Sequence, residues 1–148
     1  LPDERAQELL QALMKNVYRA FDFRQEEDVY DKLALSVSGD LLSDIYLQNR
    51  KSFAVQQAGG AQAKIKEVEV MDASAERVGV APLTYAITGK WSAMGTVGHW
   101  GHVHTRKNLY EAIVTIANTD GRWKITALEL LDETRVQPGA GASAAAAQ

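Results

Sequence analysis

The stretch Lys64-Ile65-Lys66-Glu67-Val68-Glu69-Val70 decides the fold class, because charged and apolar residues alternate in it with a period of two. Side chains of a β-strand point alternately to opposite faces, so this pattern predicts a strand with one solvated face. Before Gly59-Gly60, by contrast, apolar residues recur at the spacing of a helix. The change of period near Gly60 therefore predicts helices before it and a sheet after it.

The first sixty residues carry apolar positions spaced by three and four, as in amphipathic helices. We expect three helices, within residues 3–22, 25–37 and 40–58. Pro2 and Asp3 are suited to the start of the first helix. Gly39 is suited to end the second helix, and Asp40 to cap the third.

The sequence after Gly60 predicts an antiparallel sheet of about five strands between residues 62 and 133. The strands are expected near residues 63–71, 83–92, 96–106, 109–117 and 123–132. Turn-like stretches bound the third strand at 92–95 and 106–108, and a polar loop is expected over 72–82. Asn118-Thr119-Asp120-Gly121 predicts a hairpin turn. Helices followed by antiparallel strands indicate an α+β domain with the helices on one face of the sheet.

Composition narrows the function classes. The 148 residues include 16 basic and 19 acidic side chains, a formal net charge of −3 without a basic stripe, which argues against nucleic-acid binding. The absence of cysteine excludes disulfides and thiol chemistry. No apolar run approaches the ~20 residues of a membrane span.

We expect one domain over 1–136 and a disordered low-complexity tail over 137–148. A start at Leu1 without methionine suggests a fragment or a processed form.

All three histidines lie within Thr96–Arg106. If this stretch is one strand, His102 and His104 share a face with Trp100 and Arg106, and His99 lies on the other face. Two histidines at this spacing could both reach a zinc ion, with Glu111 on the adjacent strand as a third ligand. The alternative is that both histidines lie on a solvated or half-buried sheet face and bind neighbouring groups. We expect the alternative, with no metal and no cofactor.

A family resemblance rests on the long first helix, the acidic break Gln25–Asp28 and the closing strand Gly121-Arg122-Trp123-Lys124-Ile125-Thr126-Ala127-Leu128-Glu129. This arrangement resembles the nuclear transport factor 2-like superfamily, a cystatin-like α+β cone that includes the SnoaL-like polyketide cyclases. Two stretches, Asn16–Arg24 and Gly98–His102, are similar to bacterial domains appended to membrane or envelope proteins. The short strands usual between the second and third helices are reduced here to at most Leu35–Val37.

The resemblance implies a strongly curved sheet that wraps the helices and leaves a pocket at its open end. Aromatic residues are expected to line that pocket: Tyr18, Tyr85, Trp91, Trp100 and Tyr110.

The resemblance also implies how an enzyme of this kind would work. Members that are enzymes use an Asp–His pair, or Asp and Tyr, to move a proton on a small organic substrate. Here His99 or His102 could pair with Asp22 or Asp44, and Tyr18, Tyr46 or Tyr85 would donate a hydrogen bond to a carbonyl. The alternative is that the tyrosines of the helices are core residues with a tethered hydroxyl.

We expect a non-enzymatic binding or assembly module, a homodimer through its sheet, with a small apolar ligand or a protein as partner. We expect it to be the soluble domain of an envelope-associated bacterial protein, periplasmic rather than cytoplasmic. The alternative is a small pocket enzyme of the cyclase, isomerase or dehydratase type that uses a His–Asp pair.

Overall fold

The computed structural model describes residues 1–22, 26–57, 62–99 and 102–136. Within these ranges three helices precede four strands, which confirms the α+β class predicted from the change of period. The elements are α1 (Asp3–Ala20), α2 (Glu26–Ala34), α3 (Asp40–Gln57), β1 (Gln62–Val80), β2 (Leu83–His99), β3 (His102–Thr119) and β4 (Arg122–Val136). The tail predicted over 137–148 lies outside the described residues.

Helix α1 is the main support of the sheet. It begins after Pro2, whose carbonyl accepts a hydrogen bond from the N–H of Ala6 at 2.9 Å. Asp3 and Glu4 lie in its first turn and Arg19 in its last, as the helix dipole favours. One face packs against β1 and β2. The buried residues of that face are Ala6, Leu10, Leu13, Met14, Val17 and Ala20. Burying a leucine side chain contributes about 1.5–3 kcal/mol, so this face fixes α1 on the sheet.

The connection between α2 and α3 ties the helices to β4. Gly39 takes the left-handed backbone conformation, with φ of 71°, that lets the chain turn from one helix into the next. Val37 forms a parallel bridge with Ile125. The Ile125 N–H donates to the Ser36 carbonyl at 2.7 Å, and the Ser38 N–H donates to the Ile125 carbonyl at 2.9 Å. The reduced strand expected at residues 35–37 is thus a single bridge.

The four strands form one antiparallel sheet in the order β1-β2-β3-β4. On β2, Ile87 and Trp91 are buried on the helix side, whereas Thr88 and Lys90 are exposed. Register shifts interrupt β1 at three places. Such bulges increase the local twist, which suits the curvature of the sheet around the helices.

The sheet has four strands rather than the five predicted, because the histidine stretch is not one strand. Its first part ends β2 and its second part begins β3, and His99 pairs with His102 across the hairpin. The stretches 92–95 and 106–108, predicted as turns, pair with each other inside these strands. Both stretches consist largely of small and polar residues, which are typical of turns. Here, however, the neighbouring strand forms the hydrogen bonds of their backbone groups. Gly95 is required there, since a Cβ on it would overlap the carbonyl oxygen of Lys64.

The polar loop predicted over 72–82 is also wrong, because β1 continues to Val80. Ala73 is 3% exposed and Ala75 is half-buried, whereas Asp72 and Ser74 are exposed. The apolar face of this part of β1 therefore consists of alanines. Alanine side chains are small, so the alternation of apolar and polar residues is weak here and the sequence resembles a polar loop.

Candidate binding site

Three of the five aromatic residues predicted to line a pocket lie together on the helix side of the sheet. Tyr18 comes from α1, Trp91 from β2 and Tyr110 from β3. Trp91 and Tyr110 are paired across the two strands, and their rings stack with centroids 5.6 Å apart and an interplanar angle of 29°. The indole Nε1 of Trp91 donates to the Tyr18 hydroxyl at 3.4 Å. We call these three residues the aromatic cluster.

Polar groups surround the aromatic cluster on its β3–β4 side. Asn108 Nδ2 donates to the Tyr110 hydroxyl at 3.2 Å. Glu133 lies opposite Tyr110 on β4. Burial raises the pKa of the Tyr18 phenol, the hydrogen bond from Trp91 lowers it, and the charges of Tyr110 and Glu133 raise it further. Because the net shift is upward, the Tyr18 phenol is neutral at neutral pH. The Trp91 ring, which contacts both tyrosines, is only 3% exposed and is thus shielded from solvent.

The other aromatic candidates lie elsewhere. Tyr85 packs against Trp123, with ring centroids 5.8 Å apart, and lies roughly 20 Å from Trp91 along β2. Tyr46 meets Tyr30 edge to face at 5.2 Å and joins α3 to α2. Trp100 lies outside the described residues. The predicted pocket lining is therefore divided between two ends of the sheet.

The histidines lie at the β2–β3 hairpin, away from the aromatic cluster. His102 and His104 are exposed on β3. Glu111, placed on a neighbouring strand in the sequence interpretation, lies on the same strand as His104, roughly 23 Å further along. The difference arises because the sequence pattern predicts the histidine stretch as a separate strand, whereas it forms the end of β2 and the start of β3. Among the described residues, no group of three His, Asp or Glu side chains could hold a metal ion.

The two aspartates proposed as partners of a catalytic histidine lie on helices. Asp22 follows α1 and Asp44 lies on α3, and both are exposed. Neither forms an ion pair with His102 or His104. The structure thus brings together the predicted tyrosines and tryptophan of the aromatic cluster, but not the described histidines and these aspartates.

Sequence reasoning missed a column of polar side chains on α1 that faces the edge of β1. Gln7 Nε2 donates to the Val70 carbonyl at 2.9 Å. Gln11 Nε2 donates to the Val68 carbonyl at 2.8 Å, and Gln11 Oε1 accepts the Val70 N–H at 2.6 Å. Lys15 and Arg19 continue this column. The spacing of four residues was the signal that could have found it, because it places these side chains on one face of a helix.

Two grooves run between this column and β1, one on each side of Gln11. The first, of about 190 Å³, is lined by Gln11, Lys15, Tyr18, Arg19 and residues 65–68. The second, of about 330 Å³, is lined by Glu4, Gln7, Glu8, Gln11 and Val70. The first groove is basic and the second acidic, so charge changes sign along the α1–β1 edge.

An apolar surface lies at the opposite edge of the sheet. Leu128, Leu130 and Leu131 of β4 are 38%, 48% and 48% exposed. Leu128 and Leu130 lie opposite the buried residues Val114 and Ala112, so they belong to the helix-facing side of the sheet. Among the described residues, only the Val37 bridge to Ile125 pairs with the outward edge of β4.

No helix among the described residues has the length and apolar character needed to cross a membrane. No protein-family model matches the chain, and no curated protein matches it. Among solved structures, the chain is similar to the intermembrane space region of the chloroplast protein ARC6, with a TM-score of 0.58 and 15% sequence identity. The alignment covers 88% of this chain and 97% of that one. At this level of identity, the two proteins share a fold.

Proposed function

We propose that the chain is a protein-binding module of an envelope-associated protein, and that the outward edge of β4 receives an extended segment of another polypeptide. The observation that carries this proposal is the exposure of Leu128, Leu130 and Leu131 on that edge. Proteins usually cover such an edge, or interrupt it with lysine or proline, because its unpaired backbone groups can bind another strand. Residues 127–132 contain neither lysine nor proline.

The binding mode follows from the side chains along β4. An added strand forms main-chain hydrogen bonds with the edge, and alternate side chains of that strand determine specificity. Apolar side chains of the bound segment would cover Leu128 and Leu130 on the helix-facing side. Glu133 and Arg135 follow on the same strand and would favour polar or charged residues at that end of the segment. The homodimer through the sheet that the sequence predicts would use the same edge.

We place this module in the envelope of a bacterium, on the periplasmic side. The similarity to the intermembrane space region of a chloroplast protein supports an envelope association. The proposal includes distant membership of the nuclear transport factor 2-like superfamily. The three helices on a curved antiparallel sheet support this membership. The alternative, a small pocket enzyme, stays a prediction from the sequence.

The test uses peptides selected from a random phage-displayed library against the wild-type chain. The selected peptides should bind wild type and lose at least tenfold in affinity for the Leu128→Lys/Leu130→Lys double variant. Leu47→Lys is the matched control, because Leu47 is 51% exposed on α3. Hydrogen exchange should show that bound peptide protects backbone amides within 127–136.

The proposal fails if the library yields no binder, or if the selected peptides bind the double variant as tightly as wild type. Protection of amides on another strand would also contradict it. Sedimentation of wild type and the double variant shows whether a second copy occupies the same edge.

A further inference from the structure

The exposed face of α1 carries opposite charges at its two ends. Five residues form this face at a spacing of three to four, and all five are exposed: Glu4, Glu8, Ala12, Lys15 and Arg19. The N-terminal half of this stripe is acidic, the C-terminal half is basic, and the small residue lies at the middle. We call it the α1 stripe.

The α1 stripe is complementary to itself when two copies run antiparallel. Glu4 and Arg19 are equally distant from the midpoint between Gln11 and Ala12, and so are Glu8 and Lys15. A twofold axis at this midpoint therefore places Glu4 opposite Arg19 of the second copy, and Glu8 opposite its Lys15. Symmetry repeats both pairs, as in any isologous interface.

We propose that the α1 stripe binds the same stripe of a second copy of this chain, in antiparallel orientation about that axis. This surface is separate from the β4 edge assigned to a partner segment above. Ala12 at the centre permits helices to approach at the ordinary 8–10 Å between axes. Antiparallel helices also bring the positive end of each dipole near the negative end of the other.

The surroundings of the α1 stripe favour a second copy as the occupant. The basic groove beside Lys15 and Arg19 can receive the carboxylates of Glu4 and Glu8 from the second copy. The acidic groove beside Glu4 and Glu8 can receive that copy's Lys15 and Arg19. A second copy of the chain therefore complements both grooves of the α1–β1 edge, because it carries both the acidic and the basic side chains that they require.

The charges of the α1 stripe are available for such pairing. Lys15 and Arg19 form no ion pair with a described acidic residue. Glu8 contacts Arg5 at 3.5 Å, with side chains 70% and 58% exposed respectively. An exposed pair of this kind contributes little to stability, so Glu8 can pair again with a second copy at small cost.

A dimer held by these charges is sensitive to salt. Helix α1 is about 27 Å long from its rise per residue, so the interface is smaller and more polar than that of a permanent dimer. The Debye length falls from about 10 Å at 0.1 M salt to about 3 Å at 1 M. We therefore expect the dissociation constant to rise at least tenfold over this range.

Charge exchange supplies the decisive test, with sedimentation equilibrium as the measurement. The Glu4→Lys/Glu8→Lys and Lys15→Glu/Arg19→Glu variants should each dimerise at least tenfold more weakly than wild type. An equimolar mixture of the two should form a heterodimer, because one stripe is wholly basic and the other wholly acidic. The variant with all four exchanges is self-complementary again and should dimerise like wild type.

Controls separate this result from loss of folding or loss of the β4 site. Circular dichroism verifies that each variant keeps its helices. Glu27→Lys/Asp28→Lys makes the same charge change on the exposed start of α2 and should leave dimerisation unchanged. Leu128→Lys/Leu130→Lys should also leave this dimer intact while it loses peptide binding. A loss of dimerisation in this variant would overturn the α1 interface in favour of the sheet dimer at the β4 edge.

A cross-link locates the axis. The chain has no native cysteine, so Ala12→Cys introduces a single thiol near the proposed twofold axis. Under mild oxidation it should form a disulfide-linked dimer much faster than Gln48→Cys on the exposed face of α3. The proposal is overturned if wild type sediments as a monomer at ~1 mM in low salt. Failure of the two exchanged variants to combine, or equal cross-linking at both positions, also overturns it.

Discussion

Val70 donates its backbone N–H to the side-chain oxygen of Gln11 at 2.6 Å, so a helix side chain occupies the place of a neighbouring strand. The side-chain nitrogen of Gln11 donates in turn to the Val68 carbonyl, two residues away on the same edge. A side-chain amide has one donor and one acceptor group, as a peptide unit has, and can therefore close a strand edge. Helix α1 thus closes the edge of β1, whereas the only backbone pairing on the outward edge of β4, among the described residues, is the bridge of Ile125 to Val37.

Replacing Gln11 by methionine should destabilise the fold. Methionine keeps the size of the side chain but leaves the Val70 N–H and the Val68 carbonyl without their partner. Leaving partly buried backbone groups unsatisfied costs about 1–3 kcal/mol. Urea unfolding of Gln11→Met should show this loss, whereas Gln48→Met on the exposed face of α3 should stay within about 0.5 kcal/mol of wild type. Equal stability of the two variants would mean that water serves this edge as well as Gln11 does.

The sequence predicts features whose interacting residues lie close together in the chain. It misses features whose interacting residues lie far apart. The helices and the change to strands near Gly60 are predicted, because each depends on periodicity within a few residues. The aromatic character of Tyr18, Trp91 and Tyr110 indicates a shared role, and the packing of α1 on the sheet brings them together. Gln11 was missed, because its partner is 59 residues away. No local pattern indicates such a contact.

The hairpin position was missed for a related reason. Gly95 and Asn108 have the composition of turns, but the register places them inside the paired strands β2 and β3. Pairing satisfies their backbone hydrogen bonds, and it depends on the partner strand rather than on the residue itself. Asn108 even contributes to the site, since it binds the Tyr110 hydroxyl.

Gly95→Ala should disturb the pairing of β1 with β2. A Cβ at this position would overlap the backbone of Lys64 and Ile65, which cannot move as a flexible side chain can. We expect a loss of about 1–3 kcal/mol, as for an overpacked core position. Gly98→Ala is the control, because the nearest atom to a Cβ there is 3.7 Å away. Thermal unfolding of both variants tests this, and an unchanged midpoint for Gly95→Ala would contradict the close approach.

Alanine substitution of His102 or His104 should leave stability nearly unchanged. Both side chains are exposed at the start of β3, and exposed substitutions usually change stability by less than about 0.5 kcal/mol. We also expect Zn²⁺ to leave the melting temperature unchanged, because a ligand raises it only by binding the folded state. Calorimetric titration with Zn²⁺ measures binding directly. Sub-micromolar binding that disappears in the His102→Ala/His104→Ala double variant would establish the metal site instead.

The raised pKa of Tyr18 predicts a loss of stability in alkali. Below the pKa of the unfolded phenol, about 10, both states are protonated and stability does not depend on this group. Above it the unfolded chain releases the proton while the folded chain retains it, so stability falls as pH rises toward the folded pKa. Tyr18→Phe should flatten this fall, although it also removes the acceptor of the Trp91 indole N–H and costs about 1 kcal/mol at neutral pH.

Two measurements test the behaviour of Tyr18. Urea unfolding at successive pH values above 10 gives the slope of stability against pH, which should be smaller in Tyr18→Phe than in wild type. Absorbance titration of tyrosinate should show a late ionisation step that Tyr18→Phe removes. If Tyr18→Phe removes an early step instead, burial does not control this phenol, and the aromatic cluster must be open to water.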